Sequence, residues 1–290
     1  MANADDAPKL PELLAALFAD GGSGRALPIT LPAGRLIWPD PQYRSRVSTM
    51  SGPAYWLSDG SVTATLWTQL RAEHGGSGLW PLLLEGLDDE PARPWLAGEI
   101  DPEPVSDIEE HDAAEFFAKR WAAMVRPPNN EWLQELQKES GVDFLSSFGH
   151  GWPGPAVPGE LTDHPDAVAD RCAEQVIRGD TRLGLVAVDR GADVLAVTGW
   201  MGPVNYFDQV SPLAAVVRSW EDRFRVRLLG IGFETLDLSV AAPPVTFEHA
   251  LHVAAEHWMF CSDNVEQSGR GLAGYAERIC GETSWTFWWD

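Results

Sequence analysis

Apolar positions recur along this chain in two rhythms. The helical rhythm is clearest at Leu10, Leu13, Leu14, Leu17 and Phe18, which predict an amphipathic helix over 8–19. It returns at Leu66, Trp67 and Leu70 in a helix over 62–73 capped from Asp59-Gly60-Ser61. It returns again at Phe116, Phe117, Trp121 and Met124 in a helix over 108–125. Pro127-Pro128 ends that helix, and Asn130 caps a shorter one to Glu139. Further helices are predicted over 165–178, 211–224, 246–261 and 272–279. Pro165 and Ser211-Pro212 open the first two, and Thr246 caps the third.

The second rhythm is the short apolar or β-branched run bounded by turn residues. It predicts strands at 36–38, 54–57, 79–84, 183–188, 194–198, 226–231, 236–240 and 285–289. Leu79 to Leu84 is apolar throughout, as a strand buried on both faces should be. Asp189-Arg190-Gly191 reads as a hairpin turn joining 183–188 to 194–198. Hairpins mixed with helices, without regular βα alternation, give an α+β class: a mixed, largely antiparallel sheet with packed helices in a C-terminal domain, and a smaller α/β-type N-terminal domain. The expected organisation is an N-terminal region over 1–125, a helical and Gly/Pro-rich linker over 126–164, and a C-terminal domain over 165–290. Within the first region, the acidic, Pro-containing stretch 88–112 reads as a solvated connector. Residues 54–84 and 194–231 share a strand, helix, strand reading with a central Trp, the pattern of a duplicated unit.

Composition narrows the function classes. The chain has 290 residues, 44% hydrophobic and 22% charged, as a globular protein should. It carries 43 acidic and 21 basic residues, a net charge of −22. That field repels phosphate backbones and anionic lipid, so neither nucleic acid nor a membrane surface is expected as a partner, whereas a basic protein is attracted. Cys172, Cys261 and Cys280 have no CxxC spacing, which argues against a disulfide framework or a zinc knuckle. The first residues lack a basic segment followed by an apolar one, and no apolar run reaches a membrane span. A cytoplasmic location is expected.

A set of separated motifs runs in order through the C-terminal third. They are Gly199-Trp200, Ser219-Trp220-Glu221-Asp222-Arg223-Phe224, Gly230-Ile231-Gly232-Phe233, Pro243-Pro244, Ala255-Glu256-His257, Phe260-Cys261-Ser262-Asp263, Trp285 and Phe287-Trp288-Trp289-Asp290. This stretch resembles an uncharacterised bacterial family, domain of unknown function 4253. The resemblance implies a bacterial cytosolic protein and transfers no activity and no catalytic residue.

Familiar chemical motifs fail on context. Gly269, Gly271 and Gly274 match the spacing of a dinucleotide loop, but a helix precedes them where a strand is required. His74-Gly75-Gly76-Ser77-Gly78 lies between helix and strand, the reverse of a nucleophile elbow. No cofactor is expected. Two constellations remain on the 246–261 helix. His249, His252 and Glu256 share one polar face and could present two imidazoles and a carboxylate to a metal. His257 and Cys261, four residues apart, could form a Cys–His nucleophile. The structural alternative has Phe247, Leu251, Ala254 and Trp258 as the buried stripe, Cys261 sealed as a small hydrophobe, and Glu256 and Asp263 paired with Arg223 or Arg278.

Fourteen tryptophans are the remaining anomaly. Alternation in the terminal strand sends Trp288 to one face and Phe287 and Trp289 to the other. Trp is enriched at binding hot spots. Trp200, Asp263, Trp288 and Asp290, all within the family-like motifs, are the candidate binding residues. The favoured reading is a non-enzymatic acidic protein-binding module of regulatory or immunity type. The alternative is a hydrolase-like enzyme using the His/Glu face or the Cys–His pair.

Overall fold

The computed structural model describes residues 9–44, 52–125 and 131–290. The proposed helix breaker Pro127-Pro128 and the cap Asn130 lie outside the described residues. Among these residues, the strands are β1 (Gly34–Ile37), β2 (Tyr55–Ser61), β3 (Leu79–Leu84), β4 (Arg182–Ala187), β5 (Val226–Ile231), β6 (Thr235–Val240) and β7 (Ser284–Trp288). The helices of the first half are α1 (Glu12–Ala15), α2 (Ala64–Ala72), α3 (His74–Ser77), α4 (Val105–Glu109), α5 (Ala113–Met124) and α6 (Glu131–Ser140). Those of the second half are α7 (Pro165–Val176), α8 (Val194–Thr198), α9 (Ser211–Phe224), α10 (Phe247–Phe260), α11 (Ser262–Glu266) and α12 (Gly271–Ile279).

The strands form one sheet in the order β1-β2-β4-β3-β5-β6-β7. Every pairing is antiparallel except β3 with β5, so the protein is α+β with a mixed, mostly antiparallel sheet. The expected division into 1–125, 126–164 and 165–290 does not divide this sheet. β4, from beyond residue 165, pairs with both β2 and β3, and β3 pairs with β5. The supposed linker is also anchored. The Gly159 N–H donates to the Arg223 carbonyl at 3.0 Å, and Ala156 is buried.

The central strands are apolar on both sides because both sides are covered. On β3, Leu79 and Leu83 join a cluster with Trp67, Leu70, Val168 and Cys172. Trp80, Leu82 and Leu84 face a larger core with Val216, Trp220 and Trp258. At the β7 edge the pattern turns to alternation. Trp285, Phe287 and Trp289 enter the larger core, while Thr286 on the other face is exposed and donates to Asp237 across the sheet.

Several local expectations are corrected by packing. The helix over 8–19 shortens to α1, and Gly21, Gly22 and Gly24 turn the chain with positive φ. β2 runs through Asp59-Gly60-Ser61, so the hydroxyl of Thr63 caps α2. Residues 194–198 are a helix, not the second strand of a hairpin, and the expected repeat of 54–84 loses its opening strand. The reason lies in the stretch 88–112, which is not solvated throughout. Trp95, Ile100 and Glu103 are buried there. The N–H of Glu103 donates to Ala196 O at 2.8 Å and that of Asp101 to Gly199 O at 2.9 Å, so this stretch satisfies the C-terminal carbonyls of α8. Gly199 sits at φ +67°, so close to Asp101 and Pro102 that a Cβ would strike their backbone.

The opening of α9 is likewise built from a distance. Val210, not Ser211, is the N-cap residue, and no side chain caps the helix locally. The two carboxylate oxygens of buried Glu103 accept from the N–H groups of Val210 and Ser211, each at 2.9 Å. A carboxylate at a helix N-terminus satisfies orphan donors and complements the helix dipole.

Candidate functional site

Thr246 caps α10, its hydroxyl oxygen accepting from His249 N–H at 3.3 Å. Beyond that cap the anticipated stripe holds only in the second half of the helix. Ala254 and Trp258 are buried, whereas Leu251 is half-buried and Phe247 is 48% exposed. From Val253 to Phe260 every residue is buried, because α5, α11 and α12 enclose that end.

The proposed metal face is dispersed among other partners. His249 Nε2 meets the Val157 carbonyl at 2.8 Å, and His252 Nδ1 meets the Glu248 carbonyl at 3.0 Å. Glu256 is fully buried and saturated. Its oxygens accept from Arg223 at 2.7 and 2.8 Å, from the Trp220 indole at 2.7 Å and from Ala156 N–H at 2.7 Å. Among the described residues, no group of three or more His, Cys, Asp or Glu is arranged to hold a metal ion. The anticipated Glu256–Arg223 pair is present, and it fastens the 149–165 stretch to α9 and α10.

The Cys–His pair is sealed. His257 Nδ1 lies 3.1 Å from the Tyr275 hydroxyl, and the ring sits among Trp220, Trp285 and Phe287 with centroid distances of 5.1, 4.5 and 4.8 Å. Burial holds its pKa well below the ordinary histidine value, with Arg278 and then Arg223 adding to the effect. The Cys261 thiol donates to the Trp288 carbonyl at 2.9 Å, and burial pushes its pKa up to about 12. The imidazole bonds Tyr275 and the thiol bonds the Trp288 carbonyl, so a buried thiol with a raised pKa has no base drawn to it and lacks the thiolate that nucleophilic catalysis requires.

The glycine motifs also keep their structural roles. Gly271 opens α12 after a turn that follows α11, so a helix precedes the Gly269-Gly271-Gly274 spacing. His74 to Ser77 form the short α3 ahead of β3, and Gly78 closes it in the left-handed conformation.

The four candidate binding residues are drawn to one end of the sheet. Trp200 is buried, donates its indole N–H to the Gly232 carbonyl at 3.0 Å, and packs edge-on against Trp289 at 5.2 Å. Asp263 accepts from the Tyr206 hydroxyl at 2.9 Å and from Asp290 N–H at 3.0 Å. Burial, reinforced by Asp263, raises the Tyr206 pKa well above its usual value. Trp288 receives support from Asn264, whose side-chain oxygen accepts its backbone N–H at 2.9 Å.

Beside this junction lies a recess of about 300 Å³ walled by Met201, Phe233, Trp288 and Trp289 and edged by Glu234 and Asp290. Trp200 lines a neighbouring cavity of about 370 Å³, and Met201 and Val204 border both. Phe233 belongs to one of the family-like motifs, but neither it nor Glu234 is legible as a wall in the sequence, because a turn between two strands carries no periodicity.

A third concavity, of about 810 Å³, lies where β3 and β5 begin and β4 ends, and is strongly charged. Its charges are largely cross-paired. Arg71 binds Asp170 at 2.7 and 2.9 Å and Asp166 at 3.1 Å, and Arg190 binds Glu221 and Asp222 at 2.8 Å each. These pairs join α2 to α7 and the 189–191 turn to α9.

Residues 182–290 match a family described as Domain of unknown function (DUF4253). The match begins at β4 and so takes in β4 to β7, α8 to α12, and all four walls of the recess, Met201, Phe233, Trp288 and Trp289. No curated protein and no solved structure matches the chain. Among the described residues, no helix is long and apolar enough to cross a membrane.

Proposed function

We propose that this protein is a non-enzymatic binding module of the bacterial cytoplasm that engages a basic protein partner, in a regulatory or immunity-type role. The observation that carries this reading is the net charge of −22, which attracts a basic surface and repels nucleic acid and anionic lipid. Much of that acid stays on the surface. Asp88, Asp89 and Glu90 on one turn, and Glu109, Glu110, Asp112 and Glu115 around the start of α5, are exposed. The buried acids serve the fold, as Glu103 and Glu256 do. The hydrolase-like alternative loses support because Cys261 and His257 are sealed in the core and Glu256 is saturated.

The test is capture of partners from a bacterial lysate at low salt, followed by kinetics with the purified partner. The expected partner is basic, and its association rate falls steeply as ionic strength rises, because steering of opposite charges is screened over roughly 8–10 Å in 0.1–0.15 M salt. A partner that is neutral or acidic, or one whose on-rate ignores salt, overturns the reading.

A further inference from the structure

We propose that the recess between the β5–β6 turn and β7 is a binding site for the cationic side chain, guanidinium or ammonium, of a basic residue in a partner peptide. The inference deepens the acidic-module reading and rests on it for the source of the cation. Its walls are aromatic and thioether surface from Phe233, Trp288, Trp289 and Met201, and its carboxylates are Glu99, Glu234 and Asp290. Among the described residues that line it, none is basic.

Aromatic faces attract cations through the ring quadrupole, and nearby carboxylates supply the counter-charge. The chain already seats one guanidinium this way at the rim. Arg93 lies 5.3 Å from the Phe233 ring and bonds both oxygens of Glu99, at 2.7 and 2.8 Å. That internal pair neutralises Glu99 and leaves Glu234 and Asp290 as the acids for a ligand. Asp290 is exposed, and Glu234 holds only the Trp288 indole N–H with one oxygen, at 3.4 Å.

Trp289 is 2% exposed, packs edge-on against Trp200 at 5.2 Å and keeps its indole N–H buried, so it offers the recess ring surface and not a donor. The cation is assigned to a peptide because the net charge of −22 draws a basic protein surface.

The test uses the full chain with ¹⁵N-labelled tryptophan and follows the indole N–H resonances during titration with Nα-acetyl-arginine amide. Nα-acetyl-citrulline amide, the same shape without charge, is the control. The arginine amide is expected to shift the Trp288 resonance saturably, since a cation at Glu234 competes with that indole. Citrulline amide is expected to bind about two- to fivefold more weakly, and the double variant Glu234→Gln, Asp290→Asn to lose a similar factor. Both positions are solvent-facing enough that the remaining indole spectrum should report an intact fold.

Equal binding of the two amides overturns the proposal. So does a Trp288 shift that survives the double substitution, or the absence of any saturable shift. A lysine amide that shifts the same resonance supports the broad cation class, and one that does not narrows the site to guanidinium. If the arginine amide binds here while no basic partner is captured from lysate, the recess stands and the proposed function falls. If a basic partner is captured while the recess binds neither amide, the proposed function stands and the recess falls.

Discussion

Arg223 and Glu256 meet in parallel, Nη1 to Oε1 at 2.7 Å and Nη2 to Oε2 at 2.8 Å, with the carboxylate fully buried. The Trp220 indole and the Ala156 N–H complete the four donors around one acid. A buried ion pair is held in place by such additional bonds, and removing one member strands the other. Glu256→Ala is therefore expected to lower the unfolding free energy by about 3–5 kcal/mol, read from urea denaturation. A loss below about 1 kcal/mol would reassign the pair to a surface-like role.

Glu103 should behave as a helix cap supplied from another part of the chain. Its removal leaves the N–H groups of Val210 and Ser211 without their acceptor. Glu103→Ala is expected to cost about 1–3 kcal/mol, and Glu103→Gln less, because the amide keeps one acceptor oxygen. Equilibrium unfolding of the two variants checks the order. Equal costs would mean that packing of the side chain, not its hydrogen bonds, decides.

Cys261 makes a prediction at alkaline pH. The folded thiol titrates at about 12, whereas an unfolded cysteine titrates near its ordinary value of 9.0. Above pH 9 the unfolded chain therefore releases a proton that the folded chain keeps. The thiol's contribution is present in full below pH 9 and is lost as pH rises toward 12. Cys261→Ala should reduce the slope of stability against pH in that window, relative to the parent protein. In the native state, a thiol reagent should modify half-exposed Cys280 before Cys261. Rapid labelling of Cys261 at neutral pH would contradict its burial.

His257 acts in the opposite direction. Its folded pKa lies well below the ordinary 6.5, so on acidification the unfolded chain takes up a proton before the folded one does. The stability it confers is present above pH 6.5 and is lost as pH falls toward its folded pKa. His257→Gln should flatten the pH dependence just below 6.5. NMR titration of the imidazole in the parent protein should show no protonation near pH 6.5. A normal titration there would require the ring to be open to solvent.

The sequence by itself determined what depends on near neighbours. The period of Phe116, Phe117, Trp121 and Met124 placed the body and the end of α5, but not its start, because the chain breaks after α4 and Asp112 caps a new helix at Ala113. The Thr246 cap placed α10, and the unbroken run Leu79 to Leu84 placed a strand covered on both faces. The α+β class followed from the same local patterns, and the family-like motifs located the segment that contributes most of the recess. Tertiary structure decided whatever depends on residues far apart in the chain. Val194 to Thr198 is β-branched and apolar enough for a strand, yet Asp101 and Glu103 bind the end of its helix from about a hundred residues away. The same passing segment caps α9 through Glu103, a residue whose acidic, Pro-flanked setting reads as solvent-facing. Glu256 illustrates the limit for sites: helical period gave its position relative to His249 and His252, but burial on the far side of the helix gave its partners. Local periodicity fixes which residues share a face, whereas desolvation and long-range hydrogen bonding choose what that face meets.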